Sequence, residues 1–518
     1  AVLPDLLSYT PVPVSPPYFF NMSKVKDFDE KNQPGYVLGT EVDVSSSFDT
    51  INALVAEGIQ IAIPIPACRM LLMFFLCFRM CPVDHEHEIK LRTMSWQKTA
   101  CLLAGDQVCL AIMAQSWSLS VLGWVPGIIT MVLAGVLFWI TSITMHKFIM
   151  KHPQIKDICD FGYYVFGQSR AAYVFSAFML LANNILLIGF HVLTGAKVLN
   201  TLSGHTLCTA VFSVIATIMG IVMSAPRTLR HVSFMSMFSS ACMGIAILLF
   251  LVFAGIETAP LYGYNGDYPT DGPVKTYAFP LPGTTWVACM NAVLNITFLW
   301  VPQILFPTFI AEMERPQDFP KALAVLAAIS AILFIVPPAI GFRYLGQYST
   351  APAFGSLGVV AYKKASFGFV IVPTLIIGVI YANVTAKFIY SRTMGSSRHA
   401  HSNTVIGWGV WAIIMTGIWL LAFVFSEVVP SMGDFLSLLS AAFDSFFGFI
   451  YFAIAYWQLN RGSLFSGVKA TTMTLVNVFI MVCGLFILGP GLYAAVEAII
   501  ADYSGPTTPA FTCANMAI

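Results

Sequence analysis

The chain has 518 residues, of which 58% are hydrophobic and 10% charged. Soluble globular domains carry about 25% charged residues, so a soluble protein is excluded. Twenty-six basic and 25 acidic residues leave a formal charge of +1, which gives no basis for nucleic-acid binding and makes the placement of charge the informative quantity.

Residues 1–98 read as a polar, mostly disordered cytoplasmic tail, frequent in Pro and clustering Lys24, Lys26, Asp27, Asp29, Glu30 and Lys31. Residues 1–20 lack the basic start of a signal peptide, so the first apolar helix is expected to serve as the insertion signal. One apolar insert, 59–80, interrupts the tail. It holds Pro64, Pro66 and Arg69, and an Arg near the centre of a lone spanning helix costs roughly 2.5–3.5 kcal/mol.

From 99 to 497 the chain alternates long apolar stretches with short polar links. Stretches of about 18 residues or more cross the ~30 Å hydrocarbon core as helices. Barrel strands are half that length and alternate with period two. The expected class is an all-α polytopic membrane protein. Its eleven transmembrane helices are expected near 99–120, 126–147, 170–198, 206–225, 231–255, 284–309, 319–341, 366–389, 404–426, 435–457 and 470–495. Residues 498–518 then form a short extracytoplasmic tail.

Charge placement fixes the sidedness. With an inside tail, the inner links hold Lys147, Lys151, Lys156, Arg170, Arg227, Arg230, Arg315, Lys321, Lys387, Arg392, Arg398, Arg461 and Lys469. The outer links hold Lys275, Arg343, Lys363 and Lys364. Thirteen inside against four outside obeys the positive-inside rule. Counting 59–80 as a span with the tail still inside would invert the ratio, so that segment is read as non-spanning.

The 11 cysteines form no CxxC pair and show no metal-ligand spacing, and no metal or cofactor is expected. Most lie within apolar segments as small core residues. Cys208 and Cys513 fall near the outer face, where one bridge between them is left open. No nucleophile elbow, P-loop or HExxH is present, so nothing points to an enzyme.

Polar residues inside spans are the functional candidates, since each is costly unless it meets a cavity or a partner. Asp106 lies in the first span within LLAGDQVCLAIMAQSW, where it either takes a proton, meets a buried cation or hydrogen-bonds to a neighbouring helix. The sixth span gathers Asn291, Asn295, Trp300, Pro302, Gln303 and Pro307. Its prolines should break the helix and free carbonyls near the midplane. Asp444 in the tenth span reads equally as a relay acid or a structural one. Asn183, Asn184 and His191 in the third span, and Asn383 in the eighth, read first as interhelical hydrogen-bonding groups.

Several strings resemble a known family. WQKTA (96–100), SVLGWVPG (120–127), DFGYYVFG (160–167), SAPRTLRHVS (224–233) and FPTFIAEMERPQDFPKAL (306–323) are similar to the fungal branch of the amino acid/auxin permease family. That family lies in the amino acid–polyamine–organocation superfamily, and neutral amino acid permeases are the nearest in pattern. VIYANVTAKFIYSR (379–392) and VPSMGDFLSLLSAAF (429–443) extend the match, which covers about 96–457.

The resemblance implies a leucine-transporter-type fold. Spans 1–5 and 6–10 would be 5+5 inverted repeats, spans 1 and 6 discontinuous, and span 11 an extra peripheral helix. It further implies a substrate carboxylate at the backbone of Cys109, Leu110, Ala111 and Ile112, and an α-ammonium at the carbonyls of Phe298, Leu299 and Trp300. Asp106 stands where the family often has Glu, as a proton-coupling acid; from the residues themselves, Asn295, Trp300 and Gln303 around the sixth-span break are further substrate candidates and Asp444 a second proton-coupling candidate. The family's Gly and Pro around the first break are Ala111 and Ser116 here, and its Gly-His in the sixth span is Val301-Pro302. The expected function is proton-coupled symport of neutral, aliphatic or aromatic, amino acids across the plasma membrane by alternating access, with substrate, protons and lipid as partners. Vacuolar transport and a non-transporting nutrient receptor stay open as alternatives.

Overall fold

The computed structural model describes residues 94–225, 229–257, 273–395, 397, 404–429, 431–504, 511, 513–516 and 518, without the side chains of 229–234 and 504. All belong to the unit Ala62–Ile518. The apolar insert at 59–80, most of the tail and Arg227 and Arg398 lie outside the described residues, as does the side chain of Arg230.

The first span opens at Ser95, whose hydroxyl accepts from the Lys98 N–H and so satisfies one orphan donor of the helix start. α1 (Trp96–Gln107) gives way to a 3₁₀ turn, Leu110–Ala114, and then to α2 (Gln115–Leu122), with a bend of 46°. Gly123 turns the chain at φ +76°, where a Cβ would stand 2.8 Å from the backbone of Ala278 and Phe279. α3 (Trp124–Lys151) follows, then the short link helix α4 (Ile158–Val165), capped by the Asp157 carboxylate on the N–H groups of Cys159 and Asp160 at 2.9 Å. α5 (Arg170–Ser203) ends at Gly204 in the left-handed region. α6 (Thr209–Met223) and α7 (Leu229–Ile256) complete the first half.

The sixth span comprises α8 (Trp286–Leu299), a 3₁₀ turn Pro302–Ile304, and α9 (Phe306–Glu312). α10 (Phe319–Leu345), α11 (Val360–Met394) and α12 (Val405–Val428) form the next three spans. The tenth runs through α13 (Met432–Leu439), a π-helical stretch Ser440–Ile450 and α14 (Tyr451–Leu459). The eleventh runs through α15 (Val468–Phe486), a π turn Ile487–Gly491 and α16 (Leu492–Ser504).

Among the described residues nine segments are long and apolar enough to cross, and the bent pair α1–α2 makes ten. The remaining segment, α6, has 15 residues, or roughly 22 Å of helix. It is shorter than the ~30 Å core, so length and composition alone mark ten of the eleven expected spans among the described residues. The eighth span is longer than expected at both ends and the eleventh runs on to Ser504. The fold is all-helical and polytopic.

Burial sorts the spans. In the sixth, eighth and tenth, 78% of the apolar window is enclosed by protein, against 33% in the ninth and 28% in the eleventh. The first three are therefore central, and the last two face outward with apolar residues such as Ile413 and Leu475 exposed. α11 packs on α5 and α7, α1 on α7 and α10, and α2 on α8 and α10.

The links gather at two opposite ends of the spans. At one end, the backbone of Met94 bridges Glu312 and Glu314, His146 meets the Pro316 carbonyl, and Arg392 reaches Asp157 and Tyr173. At the other, Lys275 N–H donates to Gln347, the Glu257 carboxylate accepts from the N–H groups of Gly358 and Val359, and Cys208 is disulfide-bonded to Cys513. The bridge left open in the sequence is thus formed. With Thr209 donating to Ala514 and the Ile518 N–H donating to Thr201, it fastens the C-terminal residues beside α6.

Candidate functional site

The site grows from two helix breaks. α1 stops at Gln107 because Val108 folds into a tight turn (φ −81°, ψ 80°) in which the Cys109 N–H reaches back to the Gln107 carbonyl at 3.0 Å. That geometry is an inverse γ-turn. Cys109 is then extended (φ −122°, ψ 172°) before the 3₁₀ turn begins. The break therefore sits about one turn ahead of Ala111, and neither Ala111 nor Ser116 is its pivot. The N–H groups of Leu110 and Ala111 open the new turn and have no intrahelical acceptor there.

The second break follows from proline. Pro302 has no N–H and forces the preceding residue out of the helical region, and Val301 stands at φ −126°, ψ 58°. Pro307 does not break a helix; it sits in the first turn of α9, where its missing donor costs nothing. The last carbonyls of α8 are partly reused, with Trp300 N–H to Thr297 at 2.9 Å and Val301 N–H to Phe298 at 3.4 Å.

Two glutamine amides tie the breaks together. Gln107 donates to the Leu299 carbonyl, and Gln115 donates to the Asn295 carbonyl at 2.9 Å. Gln115, an unusual polar residue for its place in the first span, thus holds α2 against α8.

The breaks face a cavity of about 60 Å³. One water needs roughly 10–15 Å³, so the space has room for about four to six waters. The first span contributes Asp106, Gln107 and Cys109, and the sixth Phe298, Leu299, Val301, Pro302 and Ile304. Opposite stand Asn183, Leu187, Phe190 and His191 of α5, Ile377 and Tyr381 of α11, and Asp444 and Phe447 of the π-helical stretch.

The polar inventory is incomplete in a consistent way. The Tyr381 hydroxyl donates to Asp106 Oδ2 at 3.4 Å. Asp106 Oδ1, Gln107 Oε1, His191 Nδ1 and Asp444 Oδ2 are buried with no hydrogen-bond partner. Buried polar atoms are normally paired, and four unpaired ones around one cavity mark a place where a polar ligand completes the bonding.

Of the residues expected to bind substrate or protons, Asp106, Cys109, Phe298, Leu299 and Asp444 line the cavity. The side chains of Leu110, Ala111 and Ile112 are buried behind the break, in the core. The structure does not bring Asn295, Trp300 or Gln303 to the cavity. Asn295 donates to the Asn291 and Gly433 carbonyls and to Ser437. Trp300 turns into an aromatic cluster with Phe138 and Phe334, its ring against Gly135. Gln303 donates to Thr141 at 3.1 Å. A helix that breaks reorients every following side chain, and helical spacing alone misplaces them.

Sequence reasoning missed Gln107 and Tyr381. Gln107 carried the same signal as Asp106, a polar side chain in an apolar run. Tyr381 carried none, since an intramembrane Tyr is an ordinary packing residue. His191 and Asn183 were seen only as interhelical groups.

The family described as "Transmembrane amino acid transporter protein" matches residues 92–497. The N amino acid transport system protein of Neurospora crassa is 27% identical over 439 residues, covering 84% of this chain and 92% of that protein. Proteins named Transmembrane transporter from Gibberella moniliformis and Fusarium pseudograminearum are 26% and 27% identical over 430 and 433 residues, each covering 82% of this chain and 89% and 88% of their own length. Among solved structures, Mhp1, a nucleobase-cation-symport-1 family transporter in a closed conformation with bromovinylhydantoin bound, aligns at 14% identity and TM-score 0.45, over 82% of this chain and 94% of that one.

Proposed function

Since the chain belongs to the family of transmembrane amino acid transporter proteins, the amino acid/auxin permeases, we propose that it imports neutral amino acids together with protons across the plasma membrane by alternating access. The observation that carries this reading is the convergence of two broken spans on one cavity that also holds an intramembrane carboxylate.

Each part has a physical role. The N–H of Leu110 at the start of the new turn suits a substrate carboxylate, while the Ala111 N–H meets the Cys109 thiol. The C-terminal end of α8, where Leu299 lines the cavity and its carbonyl already accepts from Gln107, suits an ammonium group. Asp106 lines the same cavity, within reach of the Tyr381 hydroxyl, and takes the proton. Protonation removes an uncompensated charge from the hydrocarbon region, so the loaded site can reorient where the charged, empty one cannot. Substrate and proton then favour the same conformational change, which is what coupling requires.

Radiolabelled amino acid uptake in permease-deficient cells at several pH values tests the proposal. Saturable uptake that rises as the outside pH falls is expected. Binding without uptake would replace transport with a receptor role.

A further inference from the structure

We propose that the segment around Cys513, bridged to Cys208, is a strap that holds the turn Ala353–Ser356 against the broken first span and so governs how readily the cavity opens at the Cys208–Cys513 end. This names a regulator of the same site, and its transport consequences rest on the transport reading.

The turn joins the seventh and eighth spans, and a link between elements ordinarily runs over the surface. Here Ala353, Phe354 and Ser356 are 0% exposed. Phe354 packs between Phe250 and Phe367, with ring centroids 5.5 and 5.3 Å away. The Ser356 hydroxyl donates to the Tyr348 carbonyl at 2.7 Å and accepts from the Thr350 N–H at 2.9 Å. On its inner side the turn packs on the 3₁₀ turn Leu110–Ala114, on α2 and on α11. It thus touches the same broken span whose Asp106, Gln107 and Cys109 line the cavity.

The segment around Cys513 reaches the turn at Gly355. A Cβ at Gly355 would stand 2.5 Å from Ile518 Cγ2, so Ile518 seats directly on the turn. The Ile518 N–H donates to Thr201 at 2.9 Å. The Thr209 hydroxyl donates to the Ala514 carbonyl at 2.6 Å and accepts from the Asn200 amide at 2.9 Å. Phe511 meets Phe423 of α12 at 5.9 Å. These contacts are few, and ordering a chain segment costs conformational entropy. The Cys208–Cys513 bridge compensates by pinning the segment beside α6. Ile518 is then presented to the turn at a high effective concentration. Cys513 lies beyond residues 92–497, the part of the chain that matches the transporter family.

The test uses the purified full chain in lipid nanodiscs, where both faces meet a charged methanethiosulfonate reagent. Peptide mass spectrometry follows labelling of two free thiols, Cys109 at the cavity and Cys159, fully buried on α4 at the opposite end. Combining Cys208→Ser with Cys513→Ser should speed Cys109 labelling several-fold and leave Cys159 unchanged. Ile518→Ala, which keeps the bridge, should act in the same direction more weakly, and adding it to the serine pair should change little. In cells, the serine pair should lower kcat for neutral amino acid uptake several-fold without raising KM. A site that opens more readily at that end loads as well but closes more slowly. A Cys109 rate unchanged from wild type, or one that rises together with that of Cys159, overturns the strap. Wild-type kcat and KM in the serine pair overturn it as well. If the serine variants fail to reach the membrane, labelling of Ile518→Ala decides alone. No uptake by the wild type, with Cys109 labelling still governed by the bridge, would defeat the transport reading and keep the strap.

Discussion

A carboxylate within the hydrocarbon region persists only when it is protonated, paired or wetted, and Asp106 has one long hydrogen bond, from Tyr381 at 3.4 Å. Asp106→Asn preserves shape and removes the titrating group. Uptake by that variant should lose its pH dependence while membrane delivery is retained; unchanged pH dependence would move the proton site to Asp444. Trp300 gives a contrasting case. It packs against Phe138 and Phe334 rather than the cavity, so Trp300→Ala should lower thermal stability in detergent by about 3–5 kcal/mol and weaken uptake of small and large substrates alike. Selective loss of large substrates at unchanged stability would return Trp300 to the pocket. Asp106 was legible because a single acid in an apolar run has few structural reasons to exist. The direction of Trp300 was not, because it depends on where the helix stops.

Helix breaks differ in how plainly the sequence announces them. The break in the sixth span follows from Val301-Pro302, two residues whose backbone constraints are local. The break at Val108 has no Gly or Pro, and the π-helical stretch has no residue signature at all; both arise from packing between spans. The π-helical stretch meets the sixth-span break at Gly448, where a Cβ would stand 2.7 Å and 2.8 Å from the two γ-carbons of Val301. Gly448→Ala should displace Val301 and reduce uptake several-fold at normal expression. Adding Val301→Ala should restore much of it, and failure of that rescue in a double-mutant comparison would disprove the contact's importance. The link helix α4 makes a separate prediction about stability. Burial first, and then the neighbouring Asp157 carboxylate, push Asp160 from its ordinary 3.8 up to about 6. An acid with a raised folded pKa stabilises the fold when protonated. Its contribution is complete below pH 3.8 and is lost as the pH rises through about 6. Melting curves of purified wild type and Asp160→Asn should therefore diverge across that window, and parallel curves would show Asp160 to be energetically silent.

At the scale of the molecule, composition and the spacing of apolar runs were enough to read an all-helical membrane protein, because the bilayer leaves the backbone no alternative. The shortness of α6 was not legible, since the run read as a span, 206–225, extends past both ends of the helix Thr209–Met223. From the positive-inside count we propose that the end of the spans that holds Arg392, His146 and Arg315 faces the cytoplasm and that the Cys208–Cys513 end faces outward. Reporter tags fused at the two termini should report opposite sides, and the same side for both would refute the topology. What unites these levels is a single claim, that proton and amino acid move together through the cavity between the two breaks. Purified chain in liposomes, given an inward proton gradient with glutamine outside, measures it directly. Wild type should concentrate glutamine above its external level, collapse of the gradient should stop it, and Asp106→Asn should only equilibrate. Accumulation that ignores the proton gradient, or that persists in Asp106→Asn, would contradict the account.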